Sequence, residues 1–395
     1  MRCVGTVVRG IRTPIIKEND NLANIVVDSL LKAKENENFE FRDKDIVAIT
    51  EAVVGISEGN YVTVDDIATD IKNKFPSGKI GVVYPILSRN RFSMILKGIA
   101  RAMDEITMLL SFPADEVGNG ILDEDVLENS KFDLASVITE KDYQEVFGEF
   151  IHPFTGINMV DFYRNLIESE NCKANFVFAN DSKEILNYTK DVLTCDIHTR
   201  VHTKKVLSAA GAETIYGLYE IMNESINSSG FNPEYGLLGS NKSTEERLKL
   251  FPKTGNELVV NIQNMLKEKT GKTIEVMVYG DGAFKDPVGH IWELADPVVS
   301  PAYTSGLEGT PNELKLKYIS DNKFADLKGE ELKEAIKKEI IKKEDNLKGN
   351  MLSQGTTPRR LTDLIGSLCD LTSGSGDKGT PVVFIQGYFD NLSND

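Results

Sequence analysis

Residues 273–289 read TIEVMVYGDGAFKDPVG. An apolar, β-branched run that breaks abruptly at Gly280, Asp281 and Gly282 reads as a buried strand closed by a tight turn. The preceding periodicity predicts a helix from Asn256 to Lys269, joined to the strand through TGK. Outward from this helix-then-strand unit, the chain begins with a short β-like run, CVGTVVRG, and a Gly/Pro-punctuated loop, RGIRTPIIKEND. Leu22, Ile25, Val26, Leu30 and Leu31 then recur at helical spacing, with Asn19 and Asp20 as caps and the helix starting at the aspartate. Asp45 to Val54 has the composition of a buried strand ending at GISEGN. This alternation predicts an α/β (mixed α+β) protein.

The middle reads differently. GVVYPIL from Gly81 predicts a strand, and SRNRFSMILKGIARAMDEITMLL a long helix broken at FPADEVGNG. ANFVFAND predicts a strand and DSKEILNYTKDVL a helix. We expect residues 81–230 to form an inserted α/β block, with 1–80 and 231–395 making one domain from both chain ends. Lys328–Lys348 is a charged helix with a solvated face, and a last helix, Pro358 to Leu371, leads through SGSGDKG to the strand PVVFIQGYF.

With 395 residues, 41% hydrophobic and 27% charged, the chain is long enough for two domains. A net charge of -16 repels phosphate backbones and anionic lipid, which argues against nucleic acid or membrane as partners. Cys3, Cys172, Cys195 and Cys369 are scattered without a CxxC pair, and no stretch approaches the roughly 18 apolar residues of a spanning helix. Together with the charged start, these features predict a cytoplasmic protein.

Several motifs bear on chemistry. Asp281, at a strand's carboxyl end between glycines, suits a hard cation and phosphate oxygens, although Asp-Gly there is also an ordinary turn. Lys285 and Asp286 follow it. The loop GLLGSN offers Ser240 and Asn241 to phosphate or ribose; alternatively Ser240 and Ser243 start a helix over TEERLKLF. His198 and His202 are spaced i, i+4, but the HExxH glutamate is missing and Arg200, Lys204 and Lys205 repel a dication. KTGKT lacks the first glycine of a P-loop and lies between helix and strand, the wrong order. SGSGDKG, with Lys378, is a phosphate cradle or simply a turn.

The ordered set of segments resembles the coenzyme F-420 γ-glutamyl ligase family. That family's Gly-Pro loop, apolar helix and strand ending in an Ala-Glu-Gly turn are similar to RGIRTPIIKENDNLANIVVDSLL, DIVAITEAVV and SEGN. Its GID-x-SN loop resembles GLLGSN, its strand ending in TDT resembles MVYGDGAFKDP, and its late helix and strand resemble RRLTDLIGSL and TPVVFIQGYF. The resemblance covers roughly 1–62 and 231–395. It implies a GTP-dependent ligase with Mg²⁺ or Mn²⁺, adding L-glutamate to a small-molecule acceptor through an acyl-phosphate, in a homodimer.

Carried over by position, the resemblance implies a metal at Asp281 and Glu58, and nucleotide contacts from Arg12, Thr13, Pro14, Ser240 and Asn241. Asp286 and Asp363 are second-tier ligands. The family's GID aspartate falls on Leu238, the second threonine of TDT on Gly282, and its Ser-Lys pair on Gly55 and Ile56. Arg12, Lys17 and Arg359 or Arg360 are candidate replacement cations. The alternative expectation is a catalytically degenerate ligand-binding or regulatory protein on the same fold.

Overall fold

The computed structural model describes residues 3–148, 150–282, 294–354, 359–374 and 376–394. Two sheets organise it, with a small three-stranded sheet between them in sequence. The strands are β1 (Val7–Ile11), β2 (Ile46–Thr50), β3 (Tyr61–Thr63), β4 (Lys79–Val83), β5 (Glu105–Leu110), β6 (Ile138–Thr139), β7 (Lys173–Phe178), β8 (Asp191–Thr194), β9 (Thr214–Gly217), β10 (Asn241–Thr244), β11 (Arg247–Lys249), β12 (Glu275–Tyr279), β13 (Ala302–Tyr303) and β14 (Val382–Gln386). The helices are α1 (Leu22–Glu37), α2 (Glu51–Ser57), α3 (Val64–Lys74), α4 (Phe92–Ala102), α5 (Glu124–Glu128), α6 (Glu140–Val146), α7 (Met159–Ser169), α8 (Arg200–Ala209), α9 (Gly255–Thr270), α10 (Leu316–Lys323), α11 (Gly329–Lys342) and α12 (Leu361–Thr372). The protein is thus mixed α/β. Among the described residues no helix is long and apolar enough to cross a membrane.

The five-stranded sheet runs β1-β14-β2-β12-β13. β2 and β12 are parallel, Thr50 opposite Tyr279, so both carboxyl ends open on one edge. β14 lies antiparallel between β1 and β2. Alternation splits the sheet's side chains between two layers. Val47, Ile49, Val276 and Val278 pack with Val26, Leu30, Ile262 and Leu266 of α1 and α9. Ile46, Ala48, Met277 and Tyr279 pack with Ile365 and Cys369 of α12 on the other face.

The six-stranded sheet runs β6-β7-β5-β4-β8-β9, parallel except for β6. The chain moves from β4 through β5 to β7, then returns to β8 on β4's other side, so the strand order reverses at β4. α3, α4 and α7 share the core on one face, and Leu207 of α8 packs with Val83, Leu109 and Val192 on the other.

Several boundaries differ from the sequence reading. Asn21, not Asp20, caps α1: its side chain accepts from Asn24 N, while Asp20 accepts from Lys17 N. The strand expected over Asp45–Val54 stops at Thr50, and Val53 and Val54 bury from the helix α2 instead. The long helix over residues 88–110 is α4 followed by β5, and DSKEILNYTKDVL is a short 3-10 turn, Ser182–Asn187, followed by β8. TEERLKLF is no helix; it belongs to the hairpin β10-β11, which pairs with β3. The misses at Val53–Val54 and at β5 are short apolar runs, where periodicity over five or six residues does not separate strand from helix. The helix expected over Pro358–Leu371 is α12, Leu361–Thr372, with Pro358 outside the described residues.

Candidate active site

The carboxyl ends of β2 and β12 form the floor of a cavity of about 430 Å³. Thr50, Glu51, Tyr279, Gly280 and Asp281 line it from the sheet, Asp370 and Gly374 from α12 and the loop after it. Asn241, Lys242, Ser243 and Lys249 enter from the β10-β11 hairpin, and Arg91 from the loop that follows β4. The YGDG turn (279–282) and the SNKS segment (240–243), distant in the chain, therefore face the same space.

The glycines of the turn are required by close approach. A Cβ on Gly280 would stand 2.2 Å from Asp296 Oδ2, and one on Gly282 would stand 2.8 Å from the Ser367 Cα on α12. Any side chain at either place would push apart the groups that hold the turn: Asp281 N donates to Asp296 Oδ2 at 2.8 Å, and Gly282 N to Asp370 Oδ2 at 3.0 Å. Asp281 is thus presented by fixed backbone.

Arg91 forks across two of these acids, donating from Nη2 to Asp281 Oδ2 at 2.8 Å and from Nη1 to the fully buried Asp296 Oδ1 at 2.6 Å. Glu51, 5% exposed, pairs with Lys249, also 5% exposed, at the head of α2. Four carboxylates, Glu51, Asp281, Asp296 and Asp370, thus surround Arg91 and Lys249. Burial and then Asp296 push the Asp281 carboxyl up to about 8, against the pull of Arg91, with Asp370 and Glu51 adding to the rise. Burial likewise raises Asp370 and Glu51.

Two buried hydroxyls border this region without a hydrogen-bond partner among the described residues: Tyr279 Oη, whose residue lines the cavity, and Ser240 Oγ, beside Asn241. A buried hydroxyl left unpaired costs about 1–3 kcal/mol, so each is a hydrogen-bonding group open to a further partner.

The other expected residues are distributed differently. Glu58 lies outside the lining of this cavity; its carboxylate accepts from Lys253 N, Thr254 N and Thr254 Oγ1 in the turn before α9. Arg12, Thr13 and Pro14 line a separate groove of about 810 Å³ between β1 and α1. Lys17 precedes α1, its backbone N–H donating to Asp20; Arg359 lines a third cavity near Tyr388, and Arg360 is the cap residue of α12. Asp363 lies in the first turn of α12, while Lys285 and Asp286 lie outside the described residues. Leu238, on the family's aspartate position, is 2% exposed within the large apolar core, whereas Ile56 lines the cavity. His198 Nε2 lies 2.9 Å from Leu294 O, and Gly271 of KTGKT is the left-handed cap of α9.

Sequence reasoning missed Arg91, Lys249, Glu51, Asp296 and Asp370. Lys249 did leave a signal: in RLKLF it sits between Leu248 and Leu250, both fully buried, in a strand too enclosed for a solvated lysine. Arg91 left none, because its role depends on the juxtaposition of two sheets.

The oxygen donors are of the kind a hard divalent cation takes, but among the described residues no three His, Cys, Asp or Glu side chains form a ligand set. Acids and cations are thus gathered at the carboxyl ends of two parallel strands of an α/β fold, the edge at which open α/β sheets generally place ligands. The chain belongs to the F420-0:Gamma-glutamyl ligase family, whose sequence profile matches residues 10–387. That span includes the middle block, which the motif resemblance left uncovered. A comparison with curated proteins found no match.

Proposed function

We propose that this protein is a nucleotide- and metal-dependent γ-glutamyl ligase, joining L-glutamate to the carboxyl group of a small-molecule acceptor through an acyl-phosphate. The observation that supports the reading is the cavity shared by Asp281, Asn241, Lys242, Arg91 and Lys249, where a strand-end carboxylate stands with three side-chain cations. Lys249 and Arg91 supply the charge that the family's lysine, replaced by Ile56, does not.

In this reading Lys242, Lys249 and Arg91 donate to phosphate oxygens, and charge-assisted bonds of this kind are roughly twice as strong as neutral ones. Asn241 and the unpaired Ser240 and Tyr279 hydroxyls orient nucleotide or acceptor. The acceptor's carboxylate attacks the γ-phosphorus and the nucleoside diphosphate leaves. The amine of glutamate then attacks the acyl carbon, and inorganic phosphate departs as the amide forms. Asp281 and Asp370 are the residues that would hold Mg²⁺ or Mn²⁺, which when bound neutralises phosphate charge and polarises the transferred phosphoryl group. GTP as the nucleotide, a homodimeric state and a cytoplasmic location belong to the same proposal.

Mg²⁺ with GTP is expected to raise the melting temperature, and Asp281→Asn to abolish the rise. Absence of any shift with millimolar GTP or ATP would remove the nucleotide from the proposal. A shift without glutamate-dependent phosphate release would favour the degenerate binding protein suggested by Leu238 and Ile56.

A further inference from the structure

We propose that Tyr61 is the residue on which the nucleotide's base stacks, so that the cavity grips a nucleotide at two ends, a planar ring on Tyr61 and phosphates on the side-chain cations. This rests on the ligase reading, and it gives the base a place in the same site.

The register of the three-stranded sheet carries it. Tyr61 of β3 stands directly opposite Lys249 of β11, and Lys249 directly opposite Asn241 of β10. Directly opposed residues of neighbouring strands share a face, so the three form one row, and all three line the cavity. Across the sheet the row presents ring, cation and amide. Val62 and Leu248, one residue along, are buried in the apolar core that includes α3 and α4, which pins the register, since a slip by one residue would turn the row into that core. Tyr61 is also held as a platform. Arg247, two residues from Lys249 and therefore on the same face, places its guanidinium 3.7 Å from the centre of the ring, and Glu18 pairs with Arg247 at 3.2 Å. A guanidinium over one face steadies the ring and leaves the rest of it to the cavity. The backbone is clamped as well: Gly230 N donates to Tyr61 O at 2.8 Å, and a Cβ on Gly230 would stand 2.6 Å from Tyr61 N and O. Ile56, from the end of α2, lines the same cavity and adds apolar surface to it. Phosphates call for cations and amide donors; a supported aromatic ring in the same wall serves a ligand that has a π-face of its own.

The test is a calorimetric titration of the full chain with GTP and, separately, with inorganic triphosphate, which has the phosphates and no base. Tyr61→Ala is expected to weaken GTP by about 10-fold and to leave inorganic triphosphate unchanged, while Tyr61→Phe, which keeps the ring, binds both as the wild type does. Tyr61→Leu keeps apolar bulk without a π-face and is the second variant should the alanine form fold poorly; it is expected to lose most of the same GTP affinity. GTP binding unchanged in the variants without a ring, or an equal loss of GTP and inorganic triphosphate, would overturn the stack while leaving the ligase reading in place. A wild type that binds neither GTP nor inorganic triphosphate would overturn both.

Discussion

Lys249 shows how much a single buried charge constrains. Its ammonium has Glu51 as partner inside a nearly dry wall, and removing one member of such a pair leaves an uncompensated charge. Lys249→Met is expected to cost about 3–5 kcal/mol in denaturant unfolding, with much of that recovered in the Lys249→Met/Glu51→Gln double variant. Glu58 makes the opposite case. Glu58→Ala is expected to cost about 1 kcal/mol through loss of its bonds to the turn before α9, with no change in Mn²⁺ affinity; a large loss of Mn²⁺ binding would return Glu58 to the metal site. Asp281 and Asn241 were legible because strand-end Asp and Gly-rich loops are local patterns. Arg91 and Asp296 were not, since their meaning is a distance across 205 residues of chain.

Among the elements, the long ones were readable. α1, α9, α12, β12 and β14 follow periods that persist over enough residues to tell a helix from a strand, or lie between clear Gly and Pro breaks. At residues 51–54 and 105–110 tertiary burial chose the state where local pattern was neutral, and at 241–249 it was pairing of the mostly exposed β10 with β11, and of β11 with β3. The α3-α4 contact illustrates a packing demand with no sequence signature. A Cβ on Gly98 would stand 2.6 Å from Ile67 Cγ2 and 3.3 Å from Val64 O, so the helices meet through that glycine. Gly98→Ala is expected to destabilise by about 1–3 kcal/mol even though alanine favours helices, as measured by thermal or urea unfolding.

For the whole molecule, the acid cluster ties stability and ligand affinity to pH. The Asp281 carboxyl is raised, so the native state retains a proton that the unfolded chain has shed. Stability contributed by that proton is present at acidic pH and declines as pH rises from about 4 toward about 8. Cation binding runs the other way, because it requires the ionised form. Mn²⁺ affinity is therefore expected to increase from pH 6 to pH 8.5 with release of a proton, and Asp281→Asn to lose both affinity and slope in calorimetry. We also propose that the block expected over residues 81–230 acts as an inserted unit whose first junction lies before α3, because β4 spans Lys79–Val83 and α3 shares its core; limited proteolysis before α3 and after β9 would test it.

The position of β14 has a bearing on how the chain is made. This strand stands inside its sheet, between β1 and β2, yet comes from residues 382–386. During synthesis the first two strands must wait for almost the entire polypeptide before their missing neighbour arrives, whereas every strand of the other sheet emerges between residues 79 and 217. The nascent protein thus carries an open gap in one half while the other half can already close. Ribosome-bound intermediates should show amide protection in β4, β5 and β8 well before β2 and β12.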